Sequence, residues 1–346
     1  MVIYIAQRVG RVLLSVIAVS LITFWLLQLV PGSFADLAQS NVGLGLDATS
    51  GGTQVGEGGG GGGGSSSAWQ QYLGFMSSLV TWDLPYTYKY PQLTIGDVIA
   101  QGFPITLTIA VFSTLLTLLL AVPAGLLAAL FKDRLFDRVL MTVSTALTAL
   151  PGYLLVLIMV LVFASWLGLL PTGGWEGPEY MIIPVVALAL EGVAPQARYV
   201  RSSVLEQLRE EYVVAALAKG GVARTVMVRH VLRNSFIPLV TVAGPYFAHL
   251  LTGTVFIEAL LRIPGLGLFF ATAAQSRDMP LLMGSTLFFA VLLVVLNLLV
   301  DFSYRLLDPR VRYQTPVKTW KSRRELRAVL KAKTASVENV EGAAHA

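Results

Sequence analysis

The sequence predicts an all-α polytopic membrane protein with about six transmembrane helices and a polar helix–turn–helix loop between two of them. Hydrophobic residues make up 55% of the 346 residues and charged residues 13%, against about 25% charged residues in a soluble domain. Mean hydropathy is +0.69. Apolar runs near the roughly 20 residues needed to cross a bilayer recur along the chain. The predicted spans are Val12–Val30, Ile105–Leu130, Leu147–Leu170, Met181–Ala194, Phe236–Leu261 and Leu281–Val300.

Two of these spans need a further argument. Val12–Val30 is longer than the roughly 7–15 apolar residues of a signal-peptide core, and Pro31-Gly32-Ser33 does not resemble a cleavage site, so we expect a retained span. Met181–Ala194 is interrupted by Pro184 and Glu191. We include it because an even number of spans is needed to place the basic segments on one face of the membrane.

The basic residues set the orientation. All but three of the 25 Lys and Arg residues fall near the N-terminus, in 132–138, in 198–233 or after position 304; the exceptions are Lys89, Arg262 and Arg277. Cytoplasmic loops carry an excess of Lys and Arg. Both termini and the loop at 197–235 are therefore predicted to be cytoplasmic.

The chain divides into four predicted regions: an N-terminal end with the first span (1–33), an external loop (34–103), a membrane domain (104–307) and a basic cytoplasmic tail (308–346). Within the external loop, Gly58–Gly64 and Ser65–Ser67 indicate a flexible spacer. After it, apolar residues at helical spacing predict a short helix that packs on the spans or lies on the membrane surface. They are Trp69, Tyr72, Leu73, Met76 and Leu79. In the tail, Lys318–Lys333 is either an amphipathic helix at anionic headgroups or disordered.

The loop at 197–235 is predicted to hold two helices around a glycine turn. Val204, Leu208, Tyr212 and Ala216 would form one stripe of the first helix. Gly220-Gly221 would end that helix as a C-terminal cap, and a second helix would run over 223–234. A helix with small residues and a glycine end is suited to a groove on a partner. The alternative is a solvated basic loop of the ordinary cytoplasmic kind.

Two carboxylates fall within apolar segments, where an ionisable residue is a functional candidate. Glu191 would either line a translocation path or pair with Arg198 or Arg201. Glu258 is expected to pair with Arg262, one helical turn further along.

Several classes of chemistry are disfavoured. The chain has no cysteine, which excludes disulfides, thiolate metal sites and Cys nucleophiles. His249 is expected to be a packing residue, with a role in metal passage as the alternative. No paired acid and base points to an intramembrane enzyme, and no GxxxxGK[ST] motif is present, so ATP hydrolysis by this chain is not expected.

The motifs together resemble the B-type permease subunit of bacterial ABC importers for dipeptides, oligopeptides and nickel. The core Tyr212-Val213, Ala216 and Ala218-Lys219-Gly220 is similar to the conserved loop of that family. Similar to it as well are His230-Val231-Leu232-Arg233-Asn234 with Pro238, the turn around Ile263-Pro264-Gly265-Leu266-Gly267, and Leu29-Val30-Pro31-Gly32. The glycine tract and Glu191 depart from the family pattern.

The resemblance implies a coupling helix that docks on a separate ATP-binding subunit. The residues implicated are Glu211, Tyr212, Ala215, Ala216, Ala218, Lys219, Gly220 and Gly221. It also implies a homologous second permease, two ATP-binding subunits that hold ATP and Mg, and an external binding protein. This chain would bind no cofactor, metal or nucleic acid and would lie in a bacterial or archaeal cytoplasmic membrane.

The substrate implied is a short peptide. Nickel chelates and oligosaccharides are the alternatives within the family. A secondary transporter or channel is the alternative outside it, although such proteins often carry internal repeats and no convincing repeat is visible here.

Overall fold

The structure is a computed structural model that describes residues 2–29 and 68–307. The predicted glycine–serine spacer and the basic tail from Asp308 lie outside the described residues. Residues 2–29 and 68–301 belong to one compact unit, and 302–307 are the described part of a second one.

The described chain is helical, with one isolated antiparallel bridge between Tyr86 and Thr94. In chain order the helices are α1 Val2–Gln28, α2 Ala68–Val80, α3 Ile95–Leu130, α4 Leu135–Ala149, α5 Gly152–Met159, α6 Ile182–Gln207, α7 Glu211–Ala218, α8 Ala223–Val226, α9 Arg233–Gly253, α10 Val255–Leu261, α11 Leu266–Ser276 and α12 Met279–Leu307. A π-helical segment, Val160–Trp166, extends α5, and another, Met227–Leu232, joins α8 to α9. The 3₁₀ turn Pro178–Met181 leads into α6.

Three described helical segments are long and apolar enough to cross a membrane: Ile95–Leu130, Pro178–Gln207 and Met279–Val300. Two bent pairs pass the same test when each pair is taken together, α4 with α5 at 99° and α10 with α11 at 82°. Leu14–Gln28 within α1 is apolar but shorter. The described chain therefore has three to five candidate spans, which confirms a polytopic all-helical membrane protein.

The predicted span over 147–170 is wrong as a single helix, because the chain bends sharply at its start. Leu150 is extended (φ −88°, ψ 126°), and α5 begins only after Pro151. A residue before proline is disfavoured in the α region. The predicted span over 236–261 is likewise divided, between α9 and α10 at Thr254.

The third helix begins ten residues before the predicted span because its start is well capped. Thr94 and Asp97 form a reciprocal capping box, with the Asp97 amide donating to Thr94 Oγ1 at 3.2 Å and the Thr94 amide donating to Asp97 Oδ2 at 2.9 Å. Such a box satisfies two amides that have no partner within the helix.

The predicted external helix is confirmed as α2, and it packs on other helices. Tyr72 of α2 is buried in one cluster with Phe24 of α1 and Met283 of α12. The hydroxyl groups of Tyr72 and Ser20 lie 2.7 Å apart.

The core is organised around a close crossing of α3 and α6. A Cβ atom at Gly125 of α3 would meet the Ala197 carbonyl and lie 2.8 Å from Val200 Cβ. Nearer the start of α3, Thr117 Oγ1 donates to the Ala189 carbonyl of α6 at 3.2 Å. Small residues and hydroxyl groups bring membrane helices together in this way.

Helix α9 joins this crossing through Tyr246. Its hydroxyl donates to the Leu188 carbonyl at 2.8 Å and lies 3.3 Å from Thr117 Oγ1. A Cβ atom at Gly192 would collide with that hydroxyl. Gly192 is therefore the residue that admits the Tyr246 ring to the junction of α3, α6 and α9.

The turn between α10 and α11 is built around Glu258, and the predicted pair with Arg262 is wrong. Glu258 is fully buried, whereas Arg262 is exposed at the end of α10 in a left-handed conformation (φ 53°). The Glu258 carboxylate instead accepts hydrogen bonds from Thr254 Oγ1 and from the Gly267 amide, each at 2.7 Å. Local donors supplied by the turn therefore satisfy this charge.

We predict that Gly125→Ala destabilises the protein by about 1–3 kcal/mol, because the added methyl overpacks the α3–α6 contact. The melting temperature of the detergent-purified chain measures the effect. The matched control is Gly10→Ala on α1, where a Cβ atom has no neighbour within 4 Å. That variant should keep or raise the melting temperature, since alanine favours a helix by up to about 1 kcal/mol over glycine. Equal melting temperatures for the two variants would contradict the proposed close packing.

Candidate functional site

Helix α7 ends in a glycine turn, as the sequence predicts. The Gly221 amide donates to the Ala216 carbonyl at 3.1 Å and the Gly220 amide to the Leu217 carbonyl at 3.0 Å. This pair of bonds is the Schellman motif, whose second-last residue needs a left-handed backbone. Gly220 provides it with φ +82°. The motif fixes the direction in which the chain leaves α7 toward α8.

Helix α7 has one buried face and one exposed face. Val213 is buried in a cluster with Val204, Val226 and Val231. This cluster holds α7 against the C-terminal end of α6. Beside this buried side, Val214 is 59% exposed and Leu217 is 45% exposed. An apolar surface of this kind beside charged residues is typical of an interaction site.

The predicted stripe of Val204, Leu208, Tyr212 and Ala216 does not lie on one helix. The chain leaves α6 after Gln207 and re-enters a helix at Glu211, so the four positions lose their common period. Val204 is buried, but Tyr212 is 37% exposed.

Tyr212 has a different role, because it ties α7 to its neighbours. Its hydroxyl donates to Gln207 Oε1 at 2.7 Å and accepts from Asn234 Nδ2 at 3.0 Å. One side chain of α7 thus bridges the end of α6 and the beginning of α9.

The predicted partner-binding residues fall together on α7 and its terminal turn. All are exposed except Ala216, which is half-buried against the cluster around Val213. The set is Glu211, Tyr212, Ala215, Ala216, Ala218, Lys219, Gly220 and Gly221. Glu211 lies in the first turn, where a negative charge is stabilised by the helix dipole. Val214 and Leu217 were not among the predicted partner-binding residues, and helical periodicity could not have identified Leu217, because it lies one turn from the buried Val213.

The C-terminal half of α6 is held by an ion pair between a buried carboxylate, Asp137, and a half-buried guanidinium, Arg201. Arg201 donates from Nε to Asp137 Oδ1 at 2.6 Å and from Nη2 to Asp137 Oδ2 at 2.7 Å. Bidentate pairs of this kind combine charge with fixed geometry. One turn earlier Arg198 donates to Thr148 Oγ1 at 3.2 Å. Both arginines therefore bind α4, and the expected alternative in which one of them pairs with Glu191 is wrong.

Glu191 instead lines a cavity between α5, α6, α9 and α10. The cavity has a volume of about 140 Å³. The polar and aromatic side chains in its wall are Glu191, His249, Tyr153 and Phe256. His249 is exposed on this chain, so packing of its side chain stays a prediction that applies to a contact with another subunit. The sequence pattern alone had no means of bringing Glu191 and His249 together, because they lie on different helices.

The described part of the chain contains no candidate metal site. No three His, Cys, Asp or Glu side chains there are grouped as a metal site requires.

A polytopic helical core with a short, exposed helix between two of its longer helices defines the class of all-helical, multi-pass membrane proteins. The chain belongs to the family of binding-protein-dependent transport system inner membrane components, whose model matches residues 121–313. It is therefore the non-catalytic permease subunit of an ABC importer, a multi-pass protein of the bacterial inner membrane. Such a system includes ATPase and binding-protein partners, and the ATPase partners handle ATP.

Curated relatives agree over most of the chain. It is 34% identical over 242 residues to the dipeptide transport system permease protein DppB of Bacillus subtilis, which covers 70% of this chain and 79% of that protein. It is also 34% identical over 247 residues to the oligopeptide transport system permease protein OppB of Haemophilus influenzae, covering 71% and 81%.

A solved structure supports the same fold. A chain of the MetNI methionine ABC transporter in an inward-facing conformation superposes with a TM-score of 0.52 at 17% sequence identity. The superposition covers 61% of this chain and 96% of that chain.

We predict that Arg201→Gln destabilises the protein by about 3–5 kcal/mol, because it leaves the Asp137 carboxylate buried without its partner. The melting temperature of the purified chain should fall accordingly. Arg198→Gln on the same helix is the matched control and should have a small effect, since it removes a single bond to a hydroxyl. The double variant Arg201→Gln with Asp137→Asn should recover part of the loss. If the double variant melts lower than Arg201→Gln alone, an unpaired charge is not the cause.

Proposed function

We propose that this chain is one of two homologous permease subunits of an ATP-driven importer of short peptides. The observation that carries the proposal is the 34% identity to permease proteins of dipeptide and oligopeptide transport systems over about 70% of the chain. Both α7 and Glu191 lie inside the stretch that matches the family model. The complete importer would contain this chain, a second permease, two ATP-binding subunits that hold ATP and Mg, and an external peptide-binding protein.

In this assembly α7 is the coupling helix. Its exposed small residues allow a cleft of an ATP-binding subunit to approach the backbone closely, and Val214 and Leu217 offer apolar area to be buried there. Glu211 and Lys219 lie at the two ends of the helix, where rim ion pairs would contribute little affinity, about 0–1 kcal/mol each.

Movement of α7 has a physical route into the membrane domain. Tyr212 is hydrogen-bonded to Gln207 of α6 and to Asn234 of α9, and Val213 is buried against both regions. When two ATP-binding subunits close on ATP, the docked helices would carry that movement into α6 and α9, giving alternating access.

The proposed topology has six spans: α1, α3, α5 with its π-helical extension, α6, α9 and α12. Helix α9 has 21 residues, about 31 Å at 1.5 Å per residue, which is sufficient to cross the hydrocarbon core. The pair α10–α11 then forms a bent segment on the external side between α9 and α12. This arrangement keeps both termini and α7 in the cytoplasm and follows the distribution of basic residues.

The translocation path would run past Glu191. The residue lies near the middle of the segment Pro178–Gln207 and lines a cavity. An ionisable side chain at that depth is costly in lipid and is normally placed in the interior of a bundle or in a water-filled cavity.

The proposed regions of the chain are the N-terminal end with the first span (1–33), the external loop (34–103), the membrane domain (104–307) and the cytoplasmic tail (308–346). The coupling loop at 197–235 lies within the membrane domain.

The test is a pull-down of the tagged chain from native membranes, followed by a peptide-stimulated ATPase assay. Wild-type protein should bring down ATP-binding subunits and a second permease. Ala215→Arg and Gly220→Asp should each lose the ATP-binding subunits and reduce stimulated ATPase activity at least about tenfold, because an interface anchor is worth about 2 kcal/mol or more. The second permease should still co-purify.

Gly168→Asp is the matched control for the glycine substitution. Gly168 also has a positive φ (+62°) and open space around it, but it lies after the π-helical extension of α5, on the external side of the proposed topology. This variant should keep its ATP-binding subunits. If Ala215→Arg and Gly220→Asp retain them too, α7 is only a basic linker. If the wild-type chain purifies alone, the importer assembly is wrong.

A further inference from the structure

The cavity beside Glu191 contains two ionisable side chains at membrane depth. Glu191 comes from the middle of the segment Pro178–Gln207, and His249 comes from α9, four residues before its end at Gly253. His249 is exposed and Glu191 is half-buried. Exposed ionisable groups are not tolerated against lipid tails, so the open side of this cavity faces water or another subunit. In the proposed importer it faces water, which lies between this chain and the second permease.

A glycine makes room for the carboxylate. A Cβ atom at Gly152 would collide with Glu191 Oε2, whereas a Cβ atom at Gly253 would lie at an ordinary contact distance of 3.5 Å from the His249 ring. Gly152 is the first residue of α5, where the helix dipole favours a negative charge. The carboxylate is therefore supported on one side by a helix start while it lines the cavity on the other.

The rim of the cavity is aromatic. Phe256 is 78% exposed and Tyr153 is 50% exposed, although both are large rings that a stable core would normally cover. Neither Lys nor Arg is among the residues that line the cavity in the described chain. A carboxylate with neighbouring aromatic faces is the combination that binds an organic cation, since the ring faces attract positive charge.

The size of the cavity limits what it binds. Its volume of about 140 Å³ is below the roughly 300–1,000 Å³ of sites that enclose a whole ligand. It accommodates one end of a peptide, and the remainder would extend into the path.

We propose that Glu191, His249, Tyr153 and Phe256 form a binding station for the amino-terminal ammonium group of a peptide in passage. The Glu191 carboxylate pairs with the charge, the two rings cover it, and the His249 imidazole takes a hydrogen bond from a remaining N–H. This inference rests on the proposed importer function and adds to it the chemical group that the path recognises.

The absence of cysteine from the chain allows a direct test. A single cysteine is placed by Leu260→Cys on α10, one helical turn beyond Phe256 and 44% exposed, so that all four residues of the station remain. The complete importer is then assembled in proteoliposomes. The cysteine is then labelled with a cationic reagent, 2-aminoethyl methanethiosulfonate, or an anionic one, 2-sulfonatoethyl methanethiosulfonate. Labelling is measured on this chain after electrophoresis. The cationic reagent should react faster, and adding Glu191→Gln should lower the ratio of the two rates about tenfold or more, because a nearby unit charge acts oppositely on the two reagents.

Two further variants control for the charge and for folding. Glu191→Asp keeps the carboxylate and should keep most of the rate ratio. Glu206→Gln removes an exposed carboxylate near the end of the same helix and should leave the ratio unchanged. Co-purification of the partner subunits with each variant confirms assembly. An unchanged ratio in Glu191→Gln, or an equal fall in Glu206→Gln, overturns the proposal.

A second measurement tests the ligand. Ala-Ala and N-acetyl-Ala-Ala are added at millimolar concentration without the binding protein, so that its selectivity does not enter. Ala-Ala should slow labelling at position 260, N-acetyl-Ala-Ala should not, and the protection should disappear in Glu191→Gln. No protection by Ala-Ala, or equal protection by both peptides, overturns the assignment of the ammonium group.

Failure of the proposed importer assembly and failure of the binding station would give different results. If ATP-binding subunits do not co-purify with the wild-type chain, the proposed importer assembly fails and this inference fails with it. If the complex assembles and transports peptides while the labelling ratio ignores Glu191, only the binding station is wrong.

Discussion

The close contact between α3 and α6 is the constraint on which the rest of the molecule depends. Glycine at position 125 lets the two backbones approach, and Gly192 admits the Tyr246 ring from α9 to the same junction. Helix α6 is thereby fixed in the centre of the bundle. It carries Glu191 at mid-length and Arg201 lower down, and it leads directly into α7. The cavity beside the middle of α6 and the exposed surface of α7 after its end both depend on this helix, so a displacement of α6 changes both.

The connection from α6 to α7 is local but well fixed. A short non-helical segment follows Gln207. The Tyr212 hydroxyl of α7 donates a hydrogen bond across this segment to the Gln207 side chain at the end of α6. Because the same hydroxyl also binds Asn234, α7 cannot tilt away from α6 without moving the start of α9 or breaking a bond. The ion pair between Asp137 and Arg201 holds α4 to the C-terminal half of α6. In the proposed importer, force applied to α7 thus reaches two helices that line the cavity.

Local signals in the sequence predicted local structure well, and distant partners poorly. The glycine turn after α7 could be predicted because a left-handed C-cap needs glycine at one position. The break before Pro151 was missed because hydropathy averages over a window and gives little weight to one proline. The partner of Glu258 was missed for another reason. Its donor is the Gly267 amide, nine residues away, and only the fold of the α10–α11 turn brings that amide back to the carboxylate.

Glu258 and Glu191 show why an ionisable residue in an apolar helix does not by itself indicate function. Glu258 is fully buried, and its carboxylate accepts hydrogen bonds from Thr254 and Gly267, which lie before and after it in the same α10–α11 segment. Nothing remains for it to bind, so its role is to hold the turn together. Glu191 lines a cavity in which His249 and Phe256 are exposed. Exposed ionisable groups at this depth indicate that water, the second permease or the substrate faces them rather than lipid. The two carboxylates are indistinguishable by hydropathy. Their surroundings assign Glu258 to the architecture and, in the proposed importer, Glu191 to the path.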